Sequence, residues 1–120
     1  MLKHKCILCI EPDGEICLLL GMMLHRPDLE VKHAVKIEKM ADLLNGEQPA
    51  LVVIENSFVE STIRSHISAI KKQNPSVKIL MISSIGGAVA RTASSAGVDL
   101  FLTRPFSKDA LMDAVLSLID

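Results

Sequence analysis

The sequence predicts a doubly wound α/β domain, an open five-stranded parallel sheet with helices on both faces. Three observations predict it. Short apolar runs alternate with stretches of helical spacing five times along the 120 residues, and the connections between them are short. One run, residues 50–54 (ALVVI), is apolar at every position, as expected of a central parallel strand covered on both faces. The apolar share of 49% is carried by aliphatic residues, with three Phe and no Trp or Tyr, so the core is aliphatic.

The first unit begins with residues 5–10 (KCILCI) as a strand, followed by the turn-prone Glu11, Pro12, Asp13 and Gly14. A helix then runs to Leu24, with Asp13 as its N-cap and Pro27 and Asp28 closing it. Residues 29–35 (LEVKHAV) alternate as a half-buried strand does, and residues 36–44 return to helical spacing through Ile37, Met40, Leu43 and Leu44. Asn45, Gly46 and Pro49 precede the third strand at 50–54, and its helix follows at about residues 61–73. After Asn74 and Pro75, residues 77–82 (VKILMI) form the fourth strand. Gly86 and Gly87 lead into a small-residue helix that ends near Gly97, and residues 99–102 (DLFL) form the fifth strand. Ser107, with Asp109 in the first turn, starts a last amphipathic helix through Ala110, Leu111, Ala114, Val115 and Leu118. No linker, low-complexity tract or internal domain boundary interrupts the pattern, so residues 1–120 read as one domain.

Several function classes drop out. A formal net charge of -1 supplies no basic field for nucleic acid or an anionic membrane surface. The longest apolar run, Ile16 to Leu24, falls well short of the ~20 residues needed to cross a bilayer. The basic-then-apolar N-terminus stops at Glu11 without a small-residue cleavage site, so a cytoplasmic location is expected. Cys6 and Cys9 spell C-x-x-C, but on a strand that offset spans ~10 Å and points the side chains to opposite faces. A disulfide is excluded there, and with only Cys17 besides them the thiols read as buried small hydrophobes. His4, His25, His33 and His66 lie on different elements without metal-ligand spacing and read as surface residues. Ser83 to Gly87 precedes a helix as an anion-cradling loop does, but no Walker or dinucleotide fingerprint is present.

In open parallel sheets, ligands gather outside the carboxyl ends of the strands, near the switch in strand order. The loops at those ends carry Glu11 and Asp13, Glu55, Ser83 with Ser84, and Arg104 followed by Pro105. This order resembles the receiver domain of two-component response regulators over the whole chain, and so implies its flavodoxin-like (βα)5 fold. In that family an acidic pair after the first strand binds magnesium, an Asp ending the third strand accepts phosphate, a Thr or Ser ends the fourth, and a Lys-Pro follows the fifth. Carried over by position, ILCIEPD puts Glu11 and Pro12 at the acidic pair and PALVVIE puts Glu55 at the acceptor. ILMISS puts Ser83 at the hydroxyl position, and FLTRPF puts Arg104 at the Lys, with Phe101 where the family often has an aromatic residue that rotates on activation.

The departures from the family pattern shape the expected function. Pro12 offers no side-chain ligand, which leaves a remnant of Glu11, Pro12 and Asp13 where the metal site belongs. Glu55 is longer than Asp by one methylene, a shift of ~1.5 Å, in chemistry where ~1 Å can cost a hundredfold in rate. Acidic groups brought together without a cation repel one another, and the planar fork of Arg104 binds a carboxylate where Lys offers a point charge. The sequence therefore predicts an ion pair between Glu55 and Arg104 that holds the domain in one conformation, resembling the phosphorylated state because the longer acid reaches further.

The expected function is that of a non-enzymatic, receiver-like module that binds protein partners independently of phosphorylation and without a cofactor. The resemblance implies a sensor kinase, phosphotransfer protein or effector as partner, or a second copy of the chain, docked at residues 87–119. Two alternatives use the same strand ends. One is a phosphoacceptor in which Glu11 and Asp13 hold Mg2+ and Glu55 or a neighbouring hydroxyl takes the phosphoryl group, and the other is a small-molecule sensor.

Overall fold

The computed structural model describes residues 5–11, 13–36, 48–55, 60–83, 97–104 and 106–119, with 60–63 and 83 described as backbone. Five parallel strands form one sheet in the order β2-β1-β3-β4-β5: β1 (Lys5–Ile10), β2 (Leu29–Ala34), β3 (Leu51–Glu55), β4 (Lys78–Ser83) and β5 (Leu100–Thr103). Three described helices pack on it: α1 (Gly14–Met23), α2 (Glu60–Gln73) and α3 (Lys108–Ile119). Five parallel strands, doubly wound, make the flavodoxin-like α/β fold that the sequence predicts. The helices expected at 36–44 and before Gly97 fall largely on residues outside those described.

The sheet divides the core into two layers. Leu8, Ile10, Val52, Ile54, Ile79 and Met81 face α2 through Ile67 and Ile70. On the other face Ile7, Cys9, Val53, Leu80 and Ile82 meet Leu20 and Leu24 near α1 and Leu111, Ala114 and Val115 of α3. Adjacent residues of each strand thus go to opposite layers, as strand alternation requires. Every residue of β3 is buried, the consequence of its central place. Fully burying each of these aliphatic side chains stabilises the fold by about 1.5–3 kcal/mol before conformational entropy is charged.

The helix ends are set by local chemistry. Asp13 caps α1, its carboxylate accepting from the amides of Glu15 at 2.9 Å and Ile16 at 3.4 Å. α2 stops at Asn74, whose buried side chain donates to the carbonyl of Pro49 at 3.2 Å. Ser107 caps α3 by accepting from the amide of Ala110 at 3.0 Å, and Lys5 donates to the carbonyl of Ile119 at the other end of that helix. Lys71 Nζ lies 2.9 Å from Asp99 Oδ2, which also accepts from the amide of Ile79 at 2.8 Å, fastening α2 to the start of β4. Gly97 adopts φ +106°, a conformation that favours glycine.

The strands differ from their expected bounds by a residue at most, and one difference matters. β3 runs through Glu55 rather than stopping before it, with Glu55 in register with Ile82 of β4. Backbone pairing continues past the end of the apolar run because the ladder is made by the main chain. The three cysteines are free and buried. His25 and His33 are exposed as expected, whereas His66 is half-buried on α2.

Candidate functional site

Parallel register decides which side chains meet at the sheet's carboxyl edge. β1 and β3 pair with Ile10 opposite Ile54. The next residues, Glu11 and Glu55, therefore emerge side by side on the two strands that flank the switch in strand order. Both are buried, with 3% of Glu11 and 4% of Glu55 exposed.

Two carboxylates in a dry site need a counter-charge. Arg104, immediately after β5, supplies it. Its Nη2 forms an ion pair with Glu55 Oε2 and lies 3.5 Å from Glu11 Oε2. The predicted pair of Glu55 and Arg104 is thus present, and Glu11 shares it. Glu55 Oε2 has no aligned hydrogen bond among the described residues, so its tie to the guanidinium is chiefly electrostatic. The arginine side chain stays 30% exposed and reaches over the acids from the solvent edge.

Glu11 is held on its other side as well. Its Oε1 accepts from the amide of Asp13 at 3.2 Å, and its carbonyl accepts from Cys17 Sγ at 3.4 Å. Burial raises the Glu11 carboxyl above the usual range, the Asp13 amide opposes that, the adjoining Glu55 adds to it, and Arg104 counters it. One guanidinium among the described residues faces two carboxylates, and the balance of these influences on Glu11 is upward. Nearby, burial pushes the Cys9 thiol up to about 12, with Cys17, Cys6 and Glu11 adding to the effect. A thiol in that state is no nucleophile.

The remaining predicted residues divide. Asp13 is exposed, and its Oδ1 is committed to the start of α1. Ser83 lies at the same strand edge, its backbone in register with Thr103, and its side chain is outside the described residues. Phe101, half-buried and in register with Met81, packs against the layer that faces α2. Pro12, Pro105 and the whole segment 84–96 lie outside the described residues, including residues 87–96 of the expected docking surface. Among the described residues, no three His, Cys, Asp or Glu side chains gather as a metal-ligand set.

Sequence reasoning missed two features. The sharing of Arg104 between both acids follows from register across three strands, for which no local signal exists. The outer face of α1 exposes Leu18, Leu19 and Met22. Its signal was present in the unbroken apolar run from Ile16 to Leu24, too uniform for a helix that buries a single face.

Comparison with known proteins agrees with this fold. The profile of the response regulator receiver domain matches residues 7–116. The transcriptional regulatory protein GlrR of Escherichia coli is 30% identical over 116 residues, covering 94% of this chain and 26% of that protein. The chain thus spans about a quarter of the length of that curated relative. Among solved structures, a CheY-like response regulator receiver domain protein from Methanospirillum hungatei superposes with a TM-score of 0.88 at 18% identity, covering 98% of this chain and 95% of that one. A response regulator from Thermotoga maritima gives 0.88 at 19% identity, covering 97% and 98%.

Proposed function

This chain belongs to the response regulator receiver domain family, and on that premise we propose that it is a receiver whose acidic pocket is closed by its own arginine. It works as a protein-interaction module of two-component signalling, in the cytoplasm, without being phosphorylated and without enzymatic activity of its own. The observation that carries this reading is the position of Arg104, paired with the buried Glu55 and shared with the buried Glu11.

Phosphoryl transfer of the kind the family performs is positioning plus cation electrostatics. Both ingredients are altered here. The residue at the acceptor position is a glutamate with an ion-pair partner, so its oxygen faces a guanidinium rather than an open approach. A resident magnesium does not fit the donor set. Glu11 already answers the amide of Asp13 and the guanidinium of Arg104, and Asp13 caps α1. A divalent cation placed between Glu11 and Glu55 would have to displace Arg104 and meet its charge. The fixed positive charge of Arg104 takes the electrostatic place of a metal, and the pair holds the β3 and β5 ends together in a single state that resembles the phosphorylated one. Its partners are a sensor kinase, a phosphotransfer protein or an effector, or a second copy of the chain, engaged through residues 87–119, of which β5 and α3 are described.

Incubation with Mg2+ and a small acyl phosphate, followed by intact-mass measurement, tests the proposal. The mass is expected to stay that of the unmodified chain. A stable phosphoryl adduct would instead establish the phosphoacceptor alternative, with Glu11 and Asp13 on the metal.

A further inference from the structure

α1 buries one stripe and exposes another, and both are apolar. Cys17 and Leu20, with Leu24 just beyond the helix, are buried, whereas Leu18 and Met22 keep 68% and 72% of their surface. A helix that is apolar all round belongs in an interior, yet the second face of α1 is uncovered. Leu18, Gly21, Met22 and His25, with His33 of the edge strand β2, line one groove of about 480 Å3. Gly21 keeps that groove open, since a Cβ there would sit 3.0 Å from His33 Nε2.

Glu15, Leu18 and Met22 follow at spacings of three and four, which places them on one stripe of α1, and His25, two residues past the helix, lines the groove beside Leu18 and Met22. The stripe is complementary to itself when reversed. Turned end for end about residue 20, it sets Leu18 against Met22 of a second copy and Glu15 against His25 of that copy. An imidazole donates an N–H to a carboxylate in either protonation state. Arg26 is already paired with Asp28 at 2.8 Å and does not compete for Glu15. We propose that the outer face of α1 packs antiparallel on α1 of a second copy of this chain, forming a two-fold homodimer. The interface is independent of the reading of the acidic pocket.

Sedimentation equilibrium of the full chain over a concentration series tests this. The average mass is expected to rise from one chain toward two. Met22→Asp, an exposed change that leaves the circular dichroism spectrum intact, is expected to hold it at one. Glu15→Lys is expected to weaken association about a hundredfold, the loss of two symmetry-related charge-assisted contacts of about tenfold each, and His25→Glu added to it restores the pairing with the charges exchanged. A cross-linking pair removes dependence on the Asp variant: mixed Leu18→Cys and Met22→Cys chains are expected to join to each other in preference to themselves under mild oxidation, the native thiols being buried. A single-chain mass at every concentration, a dimer indifferent to Met22→Asp, or preferential joining of Leu18→Cys to itself would each overturn the proposal.

Discussion

Replacing Arg104 with Met removes the one cation among the described residues that faces two buried carboxylates, while keeping a long side chain over them. Glu11 and Glu55 retain 4% and 5% of their side-chain surface, so neither gains much hydration in exchange. Breaking a buried pair by removing one partner costs about 3–5 kcal/mol. The 30% exposure of Arg104 lets water into the vacated edge, which brings the expected loss to about 2–3 kcal/mol, or roughly 10 °C in Tm for a domain of this size. The loss depends on pH with a defined sign. Glu11 already favours its proton through burial, and losing Arg104 removes an opposing influence. The variant's deficit is therefore largest near neutrality and shrinks on acidification as the carboxyl takes up its proton. Urea unfolding read by far-UV circular dichroism measures it, since the chain has no Trp or Tyr. Adding Glu55→Leu to Arg104→Met is expected to recover most of the loss, because an apolar replacement of the pair leaves less charge buried. A loss under about 0.5 kcal/mol at neutral pH, or no recovery in the double variant, would refute the claim that Arg104 neutralises the site.

Three further outcomes follow from individual contacts. The folded-state pKa of Glu11 is raised, so its contribution is fully present below the ordinary carboxyl pKa and is lost as pH rises through the raised value. Glu11→Gln keeps the acceptor for the Asp13 amide and is expected to melt higher than the parent near neutrality, an advantage that disappears in melts near pH ~4. Asp13→Ala removes the α1 cap and is expected to cost about 1 kcal/mol in chemical denaturation. Asp99→Ala removes both the Lys71 ion pair and the acceptor for the Ile79 amide, with an expected loss of about 1–3 kcal/mol and faster hydrogen exchange at Ile79.

The strands were readable because buried parallel strands write themselves as unbroken aliphatic runs, as ALVVI does in β3. The cap of α1 was readable because Asp13 acts on amides two and three residues away. What the sequence could not supply was the neighbour of each strand end. Glu11, Glu55 and Arg104 are separated by tens of residues and meet only because β1 and β3 are in register and β5 closes the same edge. The family resemblance brought Glu55 and Arg104 together in prospect, whereas Glu11's share in the same guanidinium required the register itself. The uncovered side of α1 is written in the unbroken run from Ile16 to Leu24, which is apolar on more faces than one sheet can cover.

The central claim is that the charge of Arg104 holds the place of a metal between Glu11 and Glu55. A 1H-15N NMR titration of the isotope-labelled chain with Mg2+ tests it most directly, with the variant Pro12→Asp, Glu55→Asp and Arg104→Lys beside it to restore the acid pair, acceptor and lysine of the family pattern. The parent is expected to show no saturable shifts at the amides of Glu11, Asp13, Glu55 and Arg104, while the variant shows them. Saturable magnesium-dependent shifts at those amides in the parent chain would contradict the claim.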